Sequence, residues 1–218
     1  MSRPNKRDKA KIVPNPRLDL KEACIVAARQ VIADEGLEKL SLREVARKLG
    51  VSHQAPYRHY ENRDTLLIEV LRRCFMEFGN HLANRPQADS PSHDLRLLGD
   101  QFMSFNAERP LEYRLLYSTP WPETYTHHEE LLLASQYPFQ ILKEVLQNLY
   151  KTQPEKLKRV EADALFVWMS AHGIVSLAES DALASIRLEE PLVPDLLEHA
   201  RYMLHWSISS ALKAPALV

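Results

Sequence analysis

The amino-acid sequence predicts an all-α protein of about nine helices. Glycine occurs only five times in 218 residues. Apolar residues recur at three- and four-residue intervals over long stretches, which is the spacing of a helix that buries one face. Polar residues suited to cap a helix stand where several of these stretches begin. These three observations favour helices throughout.

Composition indicates a soluble globular protein in a reduced compartment. Apolar residues make up 45% of the chain and charged residues 26%, both ordinary values for a globular domain. No run approaches 18 uninterrupted apolar residues, and the N-terminus is basic and polar without an apolar signal core. Cys24 and Cys74 are isolated, so neither a disulfide framework nor a CxxC motif is predicted. A cytoplasmic location fits best.

The first two helices are bounded by recognisable caps. Asp19 and Glu22 form a cap-like pair that opens a helix ending at Gly36. The inner stripe of this helix consists of Ile25, Ala28 and Ile32. Ser41 with Glu44 three positions later is a capping box, which predicts the start of a second helix. Gly50 stands where a left-handed cap would end that helix.

A third helix is predicted directly after the glycine turn, with Ser52 as its N-cap. Hydrogen-bonding side chains crowd its seven positions: His53, Gln54, Tyr57, Arg58 and His59. A short capped helix, a glycine turn and a second polar helix form the pattern of a DNA-binding helix-turn-helix. Pro56 implies that this helix begins near Gln54 or that one backbone hydrogen bond is lost.

The run GVSHQAPYRHYENRDTLL resembles the signature of the tetracycline-repressor (TetR) family of bacterial regulators. The elements that keep both type and spacing are Gly50, Tyr57, His59, Tyr60 and Arg63. The resemblance covers roughly residues 19 to 70. There are two departures: Pro56 stands where an apolar residue is more usual, and Arg63 replaces the more common lysine but keeps its charge.

The resemblance implies a three-helix DNA-binding head that a long helix joins to a ligand-binding and dimerisation core. The predicted domains are a basic flexible arm at 1–17, the helix-turn-helix at 18–65, and the effector-binding and dimerisation domain at 66–218. Asn62 would cap the long helix, which runs to about Asn84. The segment Arg85 to Pro91 interrupts the pattern near the head–core boundary.

Further helices are predicted in the core. Their approximate ranges are 93–107, 110–117, 127–150, 157–181 and 194–213. The proline-rich stretch Ser118 to Pro122 separates two of them.

Charge is unevenly distributed along a chain whose formal net charge is −1. Residues 1–63 carry 14 Lys or Arg against 8 Asp or Glu, a net charge of +6, and the remainder carries −7. Residues 1–17 alone hold +5 of that positive charge. This tail is either an arm that lies along DNA or a solvated leader. A basic front half suits a protein that places one end on phosphate.

Candidate DNA contacts are assigned by residue type. The arginine guanidinium can pair with guanine and the glutamine amide with adenine, so Arg43, Gln54 and Arg58 are candidate base contacts. His53 lies beside them. By resemblance, Tyr57 and His59 would hold the phosphate backbone, with Ser41 and Arg63 as further anchors at helix N-termini. Each of these exposed side chains could instead be part of a solvated face.

In the second half, Trp168, His172 and Gly173 have a W-x-x-x-H-G spacing similar to the WHG type of TetR C-terminal domain. Trp168 and His172 project from one helical face. Two interpretations stay open: a core histidine beside a close helix approach, which is favoured, and a ligand contact. By family analogy, the last two long helices would pair with their copies. The predicted dimer interface comprises Gly173, Leu196, Ala200, Leu204, Ser207 and Ala211.

An aromatic-rich lining suggests a pocket for a small, mostly apolar or aromatic effector. Its candidate residues are Phe102, Phe105, Tyr113, Tyr117, Trp121, Tyr137, Phe166, Trp168 and His172. Such residues are more often plain core.

The predicted function is a ligand-responsive repressor that binds a near-palindromic double-stranded DNA operator as a homodimer. An activator or an effector-independent DNA-binding protein of the same fold is the alternative. Enzymatic function is not expected, because the motifs H-E-x-x-H, G-x-S-x-G, G-K-[ST] and G-x-G-x-x-G are absent. The side chains from His127 to Glu130 cannot all bind one metal ion, because adjacent residues point to different faces of a helix. No metal or cofactor is therefore predicted.

Overall fold

A computed structural model describes residues 20–178, together with Ser185 and Tyr202. Within these residues every regular element is helical, and the predicted all-α fold is confirmed. The α-helices are α1 Leu20–Glu35, α2 Leu42–Leu49, α3 Arg63–Ala83, α4 Pro91–Glu108, α5 Pro110–Tyr117, α6 Glu129–Leu149, α7 Pro154–Leu157 and α8 Val160–Ala178. Three short 3₁₀-helices span Leu37–Lys39, Pro56–Arg58 and Glu123–His127. The predicted arm at 1–17 and helix at 194–213 lie outside the described residues.

The chain divides into two compact units. Among the described residues, the first comprises 20–74 and 115–133, and the second comprises 75–114 and 134–178. The division falls within α3, after Cys74, so one continuous helix belongs to both units. The predicted domain boundaries at residues 17 and 65 stay predictions.

The caps predicted at Ser41, Gly50 and Asn62 form. The predicted cap at Asp19 lies outside the described residues, and Ser52 does not cap the next helix, whose N-cap is Ala55. The Ser41 hydroxyl accepts a hydrogen bond from the Glu44 backbone N–H at 3.1 Å, and α2 ends at Gly50 with φ 69° and ψ 27°. The Asn62 carboxamide oxygen accepts from the Thr65 N–H at 2.9 Å at the start of α3. The Glu44 carboxylate binds Arg47 on the next turn of α2, so it stabilises the helix surface.

The segment after the glycine turn is a 3₁₀-helix of three residues, Pro56–Arg58, and not the expected α-helix. Most of its backbone bonds join residues three apart, such as Arg58 N–H to Ala55 O and His59 N–H to Pro56 O, and one joins residues four apart, Tyr60 N–H to Pro56 O. Proline has no N–H, so the α-helical bond from residue 56 to the carbonyl of Ser52 cannot form. The helix therefore begins at Pro56 and not near Gln54, and it is tighter and shorter than an α-helix.

Helices α3, α4, α5, α6 and α8 follow the predicted spans closely, whereas the short helix α7 was not predicted. The break predicted from Arg85 to Pro91 separates α3 from α4. There the Arg85 guanidinium forms two bonds with the Asp94 carboxylate, at 2.5 and 2.9 Å. In the described part of the chain, α8 alone is long and apolar enough to cross a membrane by length and composition, with a mean hydropathy of 1.2 over Val160–Leu177.

We expect Gly79→Ala to lower the free energy of unfolding by about 1–3 kcal/mol, because it overpacks a filled site. A Cβ added at Gly79 in α3 would collide with the ring of Tyr137 in α6. Urea denaturation measures the change. The matched control is Gly99→Ala in α4, where a Cβ meets nothing within 4 Å. The free energy of unfolding of this control should rise by up to about 1 kcal/mol, because alanine has a higher helix propensity than glycine. Equal effects of the two substitutions would contradict the close α3–α6 approach.

Candidate nucleic-acid interface

The orientation of the head's polar segment depends on Tyr60. This side chain is only 4% exposed, and its hydroxyl donates to the Lys21 backbone carbonyl of α1 at 3.2 Å. Burial also raises the pKa of the phenol, so Tyr60 stays a neutral donor. With Tyr60 held inward, the three residues before it face solvent: Tyr57, Arg58 and His59 are all exposed.

Six of the eight predicted DNA contacts are exposed on α2, on the turn that follows it and on the residues of the 3₁₀ segment up to His59. They are Arg43, His53, Gln54, Tyr57, Arg58 and His59. None of these six side chains forms a hydrogen bond or ion pair with another residue of the described ranges. Their donors and charges are therefore available to an external partner. We call this set the open polar face.

The neighbouring cations of α2 are neutralised within the protein. Arg47 is bound by the Glu44 carboxylate and lies 3.5 Å from that of Glu35, and these carboxylates raise the pKa of its guanidinium. Lys48 is buried and forms an ion pair with Asp34 of α1. Arg43 thus differs from Arg47, four positions later, in having no internal carboxylate partner among the described residues.

The two remaining predicted anchors make contacts inside the head. The Ser41 hydroxyl caps α2. The Arg63 guanidinium donates to the backbone carbonyls of Leu40 and Leu37, each at 3.1 Å, and to the Asp64 carboxylate at 3.1 Å. The sequence motif and the positive charge of Arg63 predict a phosphate contact. The contacts with Leu40 and Leu37 could not be predicted, because these residues lie 23 and 26 positions away in sequence.

The second unit contains an aromatic cluster. Trp168 of α8 packs on Phe78, Phe102 and Phe139, with ring centroids 6.2, 6.3 and 5.7 Å away. Phe102 also contacts Tyr113. The structure therefore brings together four of the predicted pocket residues, Phe102, Tyr113, Trp168 and His172, with Phe105 beside them on Phe78.

The polar centre of this cluster is the pair Tyr113 and His172. The Tyr113 hydroxyl lies 2.6 Å from His172 Nδ1, and the two rings stack. Burial lowers the pKa of His172 to about 4, so the imidazole is neutral at physiological pH. A neutral imidazole with a phenol partner can accept or donate a hydrogen bond, but it supplies no charge for an ionised ligand.

The remaining predicted pocket residues lie elsewhere. Tyr117 and Trp121 belong to the first unit, where the Trp121 indole N–H donates to the Leu116 carbonyl at 3.2 Å. Phe166 is 56% exposed on α8. Tyr137 packs against the backbone of α3 at Gly79.

Sequence reasoning missed three members of the aromatic cluster, Phe78, His81 and Phe139. Phe78 had been assigned to the linking helix and Phe139 to no site. His81 contacts Phe105 and lies 2.8 Å from the Ser104 hydroxyl. The apolar stripe of α3 was the available signal, because it continues past the head through Phe75 and Phe78 into the second unit.

Of the predicted dimer interface, only Gly173 is described. Leu196, Ala200, Leu204, Ser207 and Ala211 lie outside the described residues. No group of three or more His, Cys, Asp or Glu side chains within the described ranges could hold a metal ion.

Comparison with protein families matches two separate segments of the chain. Residues 25–70 match the model of bacterial regulatory proteins of the tetR family, and residues 95–200 match the model described as a tetracyclin repressor-like C-terminal domain. The first match contains the open polar face, and the second contains the aromatic cluster except for Phe78 and His81 of α3. Assignment to the WHG subgroup stays a prediction.

Curated relatives include an HTH-type transcriptional regulator of Mycobacterium bovis and one of Mycobacterium tuberculosis. Each is 32% identical to this chain over 105 residues, which is 46% of this chain and 45% of the relative. The match thus spans less than half the length of these relatives.

Solved structures share the fold. A TetR-like transcriptional regulator from a Rhodococcus species has a TM-score of 0.61 at 19% identity, covering 93% of this chain and 100% of that one. Another transcriptional regulator from Rhodococcus also has a TM-score of 0.61, at 21% identity, covering 91% of this chain and 98% of that one.

Stability should fall as the pH is lowered from about 6.5 to about 4, because of His172. The unfolded chain binds the imidazole proton near pH 6.5, whereas the folded protein binds it only near pH 4. The unfolded state therefore holds more protons throughout this interval, and the group's contribution to the loss reaches about 3 kcal/mol. Urea denaturation at several pH values measures it. His172→Gln should show a shallower pH dependence than wild type, whereas the exposed-site control His127→Gln should match wild type. Equal slopes for all three proteins would contradict burial of His172.

Proposed function

The chain belongs to the tetR family of bacterial regulatory proteins, and from that premise we propose that it is a cytoplasmic, sequence-specific DNA-binding regulator. It binds a near-palindromic operator as a homodimer, is located on the nucleoid when bound, and is a repressor released by a small-molecule effector. The observation that carries the DNA-binding proposal is the open polar face.

Arg43 and Arg58 are the cations of this face, and Gln54 and His53 lie between them in sequence. Guanidinium and carboxamide groups can pair with base edges, whereas Tyr57 and His59 can donate to phosphate oxygens. Because the nearby Arg47 and Lys48 are neutralised internally, the face offers a few defined contacts and not a broad basic surface. This arrangement favours sequence-specific over purely electrostatic binding.

The homodimer is supported by an uncovered apolar surface on α8. Leu165, Phe166, Met169 and Leu177 are each about half exposed, and their three-, four- and eight-residue spacings place them on one face of the helix. A Cβ added at Gly173 meets nothing within 4 Å, so another helix has room to approach. A second copy of this face would bury these side chains and place two heads on one operator.

For the effector, the aromatic cluster around Tyr113 and His172 is the supported location. Its rings favour an apolar or aromatic molecule, and the neutral pair at its centre favours a ligand without a net charge. Binding there would act by shifting the population of core conformations, and hence the spacing of the two heads. An activator with the same head is the alternative.

Fluorescence anisotropy tests the proposal directly. The purified protein is titrated into duplex from upstream of its own gene and into a scrambled duplex, at several salt concentrations. We expect the native duplex to bind about 10³-fold more tightly or better. Weak and equal binding to both duplexes, with steep salt dependence, would contradict a regulator that binds there specifically.

Arg43→Ala should weaken operator binding by about 1–3 kcal/mol and relax specificity at one base position. Arg47→Ala is the matched control, since this residue lies one turn further along α2 but its charge is already neutralised. Both variants are compared on the same duplexes. Equal loss on operator and scrambled duplex would make Arg43 a phosphate contact, and a larger effect of Arg47→Ala would contradict the assignment.

Met169→Glu should convert the dimer to a monomer, because it places a charge in the centre of the α8 apolar surface. Light scattering coupled to size-exclusion chromatography measures the mass. Leu133→Glu is the control, since Leu133 is equally exposed but belongs to the first unit. A variant that keeps the wild-type mass would exclude α8 as the dimer interface.

A further inference from the structure

Arg63 occupies a special position in the head. It is the first residue of α3, and its side chain reaches back across 23 and 26 positions to the link between α1 and α2. Nε donates to the Leu40 carbonyl and Nη2 to the Leu37 carbonyl, both at 3.1 Å. We call these two bonds the Arg63 fork.

The two acceptors lie immediately before the open polar face. Leu37 begins the 3₁₀-helix of the link, and its carbonyl also accepts from the Leu40 N–H at 3.1 Å. Leu40 is buried and directly precedes Ser41, the N-cap of α2. The fork therefore fixes the peptide units that lead into the first turn of α2, where Arg43 is displayed.

Arginine is better suited than lysine to this pair of contacts. A guanidinium presents several donors in a rigid plane, so it can bind two carbonyls at once, whereas a lysine ammonium is a single point on a flexible stem. With the bond to Asp64, three of the roughly five guanidinium N–H groups are committed within the head. The Asp64 carboxylate also offsets its charge.

We propose that Arg63 is a positioning residue for DNA recognition. It holds the first turn of α2, with Arg43, in register with the segment around Arg58, and it does not act as the phosphate anchor that its place in the sequence motif implies. This inference rests on the proposed function as a sequence-specific DNA-binding protein. The sequence specificity of the open polar face then depends partly on a residue that does not contact DNA.

The DNA experiment compares Arg63→Lys, Arg63→Gln and Arg58→Ala by anisotropy on operator and scrambled duplexes over a range of salt concentrations. Circular dichroism establishes that each variant is folded at the assay temperature. We expect both Arg63 variants to lose about tenfold or more in operator affinity, as for a lost base contact, while scrambled-duplex affinity changes little. Their salt slope should stay at the wild-type value. Arg58→Ala, which removes one of the two cations of the open polar face, should lower the slope by about one per subunit.

A second experiment needs no DNA. Hydrogen exchange of the free protein is followed at the amides of Leu40, Glu44 and Val45, which lie in the link and the first turn of α2. In Arg63→Lys these amides should exchange faster than in wild type, with protection elsewhere in α1 unchanged. Uniform loss of protection across the head would mean general destabilisation and would overturn the positioning role.

Wild-type operator affinity and exchange in Arg63→Lys, together with a salt slope lowered by about one per subunit in Arg63→Gln, would make Arg63 a phosphate contact. If wild type binds no operator specifically but Arg63→Lys still accelerates exchange at these amides, the proposed function fails while the structural part of the inference stands. If wild type binds specifically and neither Arg63 variant differs from it, the inference alone fails.

Discussion

The surface proposed to bind DNA depends on the burial of one tyrosine. Tyr60 is enclosed by the head, and its hydroxyl is bonded to the carbonyl of Lys21 in α1. Breaking that bond while the ring stays buried would leave a polar group without a partner, which costs about 1–3 kcal/mol. Because the ring cannot turn outward, the short segment before it must display Tyr57, Arg58 and His59 to solvent.

Charge pairing then decides which cations can act on a partner. Counting basic residues in the head suggests several equivalent candidates, but the structure separates them by their contacts. Arg47 and Lys48 are held by carboxylates, and Arg63 is held by backbone carbonyls. Arg43 and Arg58 form no such bonds within the described ranges. An exposed arginine is thus a candidate contact only where nothing inside the protein already binds it.

Local signals allowed most of the fold to be predicted from sequence. The caps at Ser41, Gly50 and Asn62 depend on neighbouring backbone groups, so residue type and spacing suffice to identify them. Long-range contacts carry no such signal. The fork of Arg63 and the packing of Phe139 on Trp168 join residues from separate helices, and sequence spacing alone cannot show which partners meet. The pocket prediction therefore mixed true neighbours with residues of the other unit.

We propose that a small face of unneutralised side chains recognises a DNA sequence. Selection of duplexes from a random library by the wild-type protein tests this claim without assuming where the operator lies. We expect enrichment of one inverted repeat whose half-sites are about one helical turn apart. Failure to enrich any motif through successive rounds, despite measurable binding of duplex, would contradict sequence recognition by this face.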